Sequence, residues 1–193
     1  MNGFEKRRKQ KEESILKTAL HLFLSEGLKN TSVQIISKQA GVSPVTIFNY
    51  FNSKENLITQ TCFLYLNTMY EDFFHMVHSD KGFEEKMHFL IFTKNQVSKE
   101  IHPEFYEALM AEYSKPNNPA MKDFLKKGTD LYLLLFEQGK REGMISKDLS
   151  VPALMLYMQL LTTSMQDQGI YNKILPYTDE IMDMFLYGIY GKR

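Results

Sequence analysis

The sequence has a single cysteine, and it has no apolar stretch long enough to cross a membrane. Cys62 alone cannot form an internal disulfide and offers no cysteine-based metal site. The longest apolar stretch, residues 151–158, is far shorter than the roughly 20 residues of a membrane-spanning helix. Polar residues follow the basic start, which excludes the apolar core of a signal peptide. We therefore expect a soluble, cytoplasmic protein with no membrane partner.

The composition is that of a folded domain, and its charge is unevenly distributed. Of the 193 residues 44% are hydrophobic and 24% charged, which excludes a disordered or low-complexity chain. Residues 1–60 contain nine Lys or Arg against five Asp or Glu, whereas the remainder is acidic. A basic first third favours contact with a polyanion there, although four charges over sixty residues also fit ordinary scatter.

No segment alternates polar and apolar residues as a β-strand does, so the sequence predicts an all-α fold of about nine helices. We expect an N-terminal three-helix domain over 1–53 and a helical bundle over 54–193. The predicted helices cover about 8–26, 32–40, 44–51, 54–78, 83–102, 104–113, 120–142, 152–169 and 178–190.

The most informative segment, residues 31–51, predicts two short helices joined by a tight turn, as in a DNA-binding helix-turn-helix. Thr31 is expected to cap the first of these two helices, with Gln34 reaching back to complete a capping box. Gly41 can take the positive φ that the turn requires. Ser43 and Pro44 are a typical N-cap and first helical residue.

The second of these helices should bury Ile47 and Phe51, which lie four residues apart. Val45, Thr46, Asn49 and Tyr50 then face outward, where short polar and aromatic groups suit a major groove. Tyr50 and Phe48 also fit a simpler interpretation as core aromatics.

Residues 31–51, with Ser53-Lys54-Glu55 after them, resemble the signature of the TetR family of transcriptional regulators. Val45 and Ser37 depart from it, because the family most often has glycine and alanine there. The resemblance covers about the first sixty residues. It implies DNA contacts through one set of residues: Thr31, Pro44, Val45, Thr46, Asn49, Tyr50 and Lys54.

The role of each contact also follows from the resemblance. Thr31 would contact a phosphate, Thr46 and Tyr50 phosphate or base, and Val45 and Asn49 the bases. Lys54 would add its charge to the dipole of its helix in attracting phosphate. The basic run from Lys6 to Lys11 could serve as a sequence-independent electrostatic arm, or could simply be a solvated helix start.

Beyond residue 60 the resemblance is architectural, and it implies an effector pocket and a homodimer. The predicted pocket consists of Met69, Phe92, Met110, Tyr113, Tyr132, Phe136 and Tyr157, a set of aromatic and flexible side chains that suits an apolar molecule. The predicted dimer interface consists of Leu154, Leu161, Met165, Phe185 and Ile189.

Nothing in the sequence groups the residues needed for catalysis, so we expect no enzyme activity and no cofactor. His75 and His78 have a spacing that suits a metal, but no third ligand is near, and we expect no metal site. The sequence predicts a homodimeric repressor that a small, moderately apolar effector releases from a palindromic DNA operator. The alternative is a helical small-molecule or lipid-binding protein with a vestigial helix-turn-helix.

Overall fold

The computed structural model describes residues 3–87, 89–90, 101–115, 118–166, 168–177, 180–181, 183–184 and 188. The fold is all-α, as predicted. Segment 83–90 and the C-terminal residues from 180 are helical wherever they are described. The remaining helices are α1 (Gly3–Asn30), α2 (Val33–Gln39), α3 (Pro44–Phe51), α4 (Lys54–Val77), α5 (Pro103–Tyr113), α6 (Pro119–Arg141), α7 (Val151–Gln166) and α8 (Gln168–Ile174).

In the described residues, the helix-forming segments are those that the sequence predicts, with two differences. The first helix begins at Gly3 and not at about residue 8. The segment from 152 was expected to stop near Gly169, but α8 continues to Ile174 and a 3₁₀ turn, Leu175–Tyr177, follows it. A glycine inside a helix costs about 1 kcal/mol relative to alanine, which is too little to end one. The next proline, Pro176, lies in the 3₁₀ turn where the α-helical run stops.

Gly27 interrupts α1 near the predicted end of the first helix. It has φ 79° and ψ 176°, so the regular helix stops there and one further turn leads to Asn30. A positive φ is a conformation that glycine adopts readily and residues with side chains rarely do.

Contacts divide the chain into two compact units, of which the first comprises residues 1–69 and 100–113. Its core includes Phe23 of α1, Ile36 of α2, Phe51 of α3 and Phe105 of α5, which are almost completely buried. The rings of Phe23 and Phe105 stack with their centroids 6.3 Å apart. The three N-terminal helices therefore fold together with α5. The functional boundary at residue 53 stays a prediction.

The second unit comprises residues 70–99 and 114–193. Phe83, Leu135 and Phe136 lie at the centre of its core. Gly139 admits close packing there, because an added Cβ would lie 2.8 Å from the Phe83 ring and 2.9 Å from Ile145. Helix α4 contributes residues to both units and runs for 24 residues as one helix, as predicted. In the part of the chain that the structure describes, no helix is both long and apolar enough to traverse a bilayer.

Candidate nucleic-acid interface

Helices α2 and α3 are joined by a tight turn whose backbone is held by hydrogen bonds. The amide of Val42 donates to the carbonyl of Ser37 at 2.9 Å, and that of Ala40 donates to Ile36 at 2.8 Å. Gly41 has φ 64°, as predicted, and no heavy atom lies within 4 Å of the place where its Cβ would be. Backbone conformation, and not lack of space, therefore favours glycine at this position.

The start of α3 is fixed as predicted. The Ser43 hydroxyl accepts a hydrogen bond from the Thr46 amide at 3.1 Å, and Pro44 occupies the first turn. Ile47 and Phe51 are 1% exposed and anchor the helix on the core. These contacts fix the rotation of α3 about its axis, and with it the set of residues that face solvent.

The outward face of α3 consists of Val45, Phe48 and Asn49, with Thr46 and Tyr50 half-buried beside them. Val45 is 66% exposed and Phe48 is 44% exposed. The interpretation of Phe48 as a core aromatic is therefore wrong. Phe48 joins the candidate DNA-contacting surface, and its position one turn after Pro44 is the only sequence feature that could have indicated this.

The helix cap predicted at Thr31 is wrong. Ser32 is the N-cap of α2, and its hydroxyl accepts from the Ile35 amide at 3.2 Å. Thr31 is 1% exposed, and its hydroxyl donates to the carbonyl of Gly27 at 2.6 Å. The Thr31 hydroxyl is thus buried and already hydrogen-bonded within the turn after α1. This arrangement does not favour the phosphate contact predicted for Thr31.

Lys54 also has a structural partner. Its ammonium donates to the carbonyl of Leu28 at 2.6 Å, which satisfies a backbone acceptor at the end of α1. Ser53 caps α4, and its hydroxyl accepts a hydrogen bond from the Asn56 amide at 3.1 Å. The pKa of Glu55 is lowered by hydrogen bonds from its own backbone N–H and from Ser53. The start of α4 therefore carries a carboxylate, which opposes phosphate binding there.

Residues just before and at the start of α5 also bind the end of α1. The carboxylate of Glu104 in α5 accepts from the Lys29 amide at 2.9 Å and lies 3.2 Å from the Lys29 ammonium. These contacts lower the pKa of Glu104. The amide of His102 donates to the carbonyl of Leu24 at 3.1 Å. No local motif predicts these contacts, because the partners are about 75 residues apart in sequence.

The start of α1 lies beside α3. The Arg8 guanidinium carbon is 5.7 Å from the centre of the Tyr50 ring, within the range of a cation–π contact. Phe4, Arg7, Arg8, Lys11, Asn49 and Tyr50 line an open groove of about 480 Å³. Three cations of the basic run, Arg7, Arg8 and Lys11, thus share one groove with two residues of α3.

The residues of the predicted effector pocket are divided between the two units. Met69, Met110 and Tyr113 belong to the first, while Tyr132, Phe136 and Tyr157 belong to the second. Phe136 is completely buried in the core of its own unit, and its ring centroid lies 6.2 Å from that of Tyr132. Phe92 lies outside the described residues. The pocket stays a prediction.

One of the residues predicted for the dimer interface is buried in the structure. Leu154 is 3% exposed and belongs to the core of the second unit, so it presents no surface for a partner. Helix α7 instead exposes Leu156, Tyr157 and Leu160. Phe185 and Ile189, like the side chains of Leu161 and Met165, lie outside the described residues.

The N-terminal segment matches a known family. Residues 15–61 match the family model described as bacterial regulatory proteins, tetR family. The chain is 28% identical over 125 residues to YerO, an uncharacterized HTH-type transcriptional regulator of Bacillus subtilis strain 168. That alignment covers 62% of this chain and 42% of YerO, so the chain spans about two-fifths of the length of this relative.

Solved structures show the same fold along nearly the whole chain. A putative transcriptional regulator from Saccharomonospora viridis in complex with choline superposes with a TM-score of 0.68 at 16% identity, covering 96% of this chain and 100% of that one. The regulator FadR from Bacillus subtilis in complex with stearoyl-CoA gives 0.62 at 17% identity, covering 92% and 99%. At such identities the likeness concerns the fold alone.

Proposed function

We propose that this chain, whose residues 15–61 match the family model of bacterial regulatory proteins of the tetR family, is a DNA-binding transcriptional regulator. The observation that carries the proposal is the outward face of α3. Ile47 and Phe51 anchor this helix, while Val45 and Asn49 face solvent after a turn of helix-turn-helix geometry. A helix held in this way can enter a major groove and present side chains to base edges.

Selection of fragments from the parent genome by the purified protein tests DNA binding. The regulator should retain a small set of fragments, and retention should weaken as salt rises, because binding releases counterions from the phosphates. The competing proposal of a helical carrier with a vestigial helix-turn-helix predicts no salt-dependent retention of any fragment.

We propose further that the regulator acts as a homodimer on a palindromic operator. One chain carries a single helix-turn-helix, whereas adjacent half-sites present major grooves roughly 34–36 Å apart. Leu156 and Leu160 lie four residues apart on α7, and both are more than half exposed. Large apolar side chains exposed together on one helix face are typical of a buried contact with a second copy.

We also propose that a small, moderately apolar effector releases the protein from DNA, so that it acts as a repressor. Stearoyl-CoA and choline are bound by two proteins of the same fold. Helix α4 has no internal break over its 24 residues, or about 36 Å, so a tilt of its far end would move Lys54 at its start. An effector weakens DNA binding only if it prefers the state that does not bind DNA.

Calorimetry of effector binding with and without operator tests this coupling. By linkage, the factor by which the effector weakens DNA binding must equal the factor by which DNA weakens effector binding. Equal effector affinity in both states would contradict the proposal even if a ligand bound.

A further inference from the structure

The first turns of α1 place three cations on one side of the helix. Phe4, Arg7, Arg8 and Lys11 follow the spacing i, i+3, i+4 and i+7, which brings them to a single face. This face and the side chains of Asn49 and Tyr50 line the groove of about 480 Å³ described above, and none of its six lining residues is acidic. We call it the α1–α3 groove.

We propose that the α1–α3 groove is a phosphate-binding site that takes one stretch of the DNA backbone bordering the major groove read by α3. The inference rests on the proposed function and deepens it, because it assigns the backbone contact to named side chains. Three cations in an open groove attract a phosphodiester, and the planar guanidinium groups of Arg7 and Arg8 match two phosphate oxygens at once.

The position of the groove links the backbone contact to base reading. Asn49 lines the groove and also belongs to the outward face of α3. A phosphate in the groove therefore lies next to the bases that Val45 and Asn49 would contact. The cation–π contact of Arg8 with Tyr50 restrains both side chains before DNA arrives, which reduces the entropy lost on binding.

The groove also divides the basic run into two parts. Lys6 and Lys9 are exposed on α1 but do not line the groove, whereas Arg7 and Lys11 do. A diffuse electrostatic arm would use all these cations alike. A built phosphate site would depend on the groove side chains alone, and this difference can be measured.

The test compares Arg7→Gln/Lys11→Gln with the matched control Lys6→Gln/Lys9→Gln, which removes the same charge from the same helix. Operator affinity is measured by fluorescence anisotropy from 50 to 200 mM salt. The slope of log K against log salt is negative, and losing two phosphate contacts should reduce its magnitude by about 1.8 and weaken binding on the order of tens of fold at 0.1 M salt. The control should bind nearly as the wild type does. Phosphate-ethylation interference should show that the groove variant alone loses a contact.

Equal losses in both double variants would overturn the proposal, because they would show a diffuse arm. Weakened binding with an unchanged salt slope and interference pattern would overturn it as well. A wild-type protein that binds no DNA would instead refute the proposed function itself. Thermal unfolding of each variant checks that it folds. The single change Lys11→Gln repeats the test with less perturbation, and it should reduce the magnitude of the salt slope by about 0.9.

Discussion

At the scale of single residues, the proposed regulator would recognise DNA through the exposed side chains of α3. Val45 stands where the family most often has glycine, and it is 66% exposed on the reading surface. Its methyl groups can contact the methyl group of a thymine, while the amide of Asn49 can pair with the edge of an adenine. These two positions should therefore carry sequence information.

We expect Val45→Ala and Asn49→Ala to change which operator sequences are preferred, at a cost of about 1–3 kcal/mol for each lost base contact. Affinity for unrelated DNA should stay nearly constant, because phosphate contacts remain. Tyr177→Ala, an exposed change in the other unit, is the control. Selection from a randomised operator library measures the preference, and an unaltered preference in both variants would contradict the assignment.

A second residue-scale feature is the buried ammonium of Lys86. It is 3% exposed and donates to the carbonyl of Val77 and to the side-chain oxygen of Gln138, both at 2.8 Å. Gln138 in turn donates to the carbonyl of Lys81 at 2.9 Å. The ammonium thus connects the end of α4 with α6.

Lys86→Met should lower the free energy of unfolding by about 1–3 kcal/mol for each acceptor left buried without a donor. Lys81→Met, at an exposed lysine paired with Glu85, should change it by about 0.5 kcal/mol or less. Urea denaturation of both variants measures the difference. If the two changes lower the free energy of unfolding equally, the buried hydrogen bonds of Lys86 do not stabilise the fold.

At the scale of elements, the turns before and after α2 show where local sequence is sufficient to predict structure and where it is not. Gly41 and the cap at Ser43 were predictable, because their partners lie within four residues. The cap at Ser32 was missed, because adjacent threonine and serine both suit that role and only the burial of Thr31 decides between them. The bond from Lys54 to Leu28 and the contacts of Glu104 were not predictable, since they join distant segments.

The two glycines of this region should respond differently to alanine. Both have positive φ. A left-handed φ costs a residue with a side chain about 1–2 kcal/mol at Gly41, whereas Gly27, with ψ 176°, lies in a region that is essentially restricted to glycine and costs about 1–3 kcal/mol. At Gly41 this strain is the whole cost, because the position is open. At Gly27 an added Cβ would also lie 2.6 Å from the His102 ring nitrogen and 2.8 Å from the Glu104 carboxylate.

Gly27→Ala should therefore destabilise the protein more than Gly41→Ala and should also weaken DNA binding, because His102 and Glu104 must shift. Thermal unfolding and operator titration of both variants measure these effects. Equal destabilisation would show that the contacts of α5 with this turn do not constrain it.

At the scale of the whole molecule, the sequence predicted the all-α fold but did not separate the buried positions of α7 from the exposed ones. The periodicity of α7 gave apolar positions without showing which side the core covers. Leu154 proved to be core, whereas Leu156 and Leu160 are exposed. Such a distinction depends on how helices pack, which a single helix pattern does not specify.

Leu156→Glu/Leu160→Glu should convert a dimer into monomers and weaken operator binding, because one chain reaches only one half-site. Leu134→Glu, at an equally exposed leucine on α6, should leave the dimer intact. Light scattering at micromolar concentration measures the assembly. A wild-type monomer, or an intact dimer in the α7 variant, would contradict this interface.

Competition between the selected operator and unrelated DNA for the wild-type protein, at one physiological salt concentration, shows whether α3 reads DNA sequence. The operator should bind about 10³–10⁷-fold more tightly, because base contacts through α3 add to the phosphate contacts that any DNA offers. Equal affinity for both DNAs, or no binding to either, would contradict a reading role for α3.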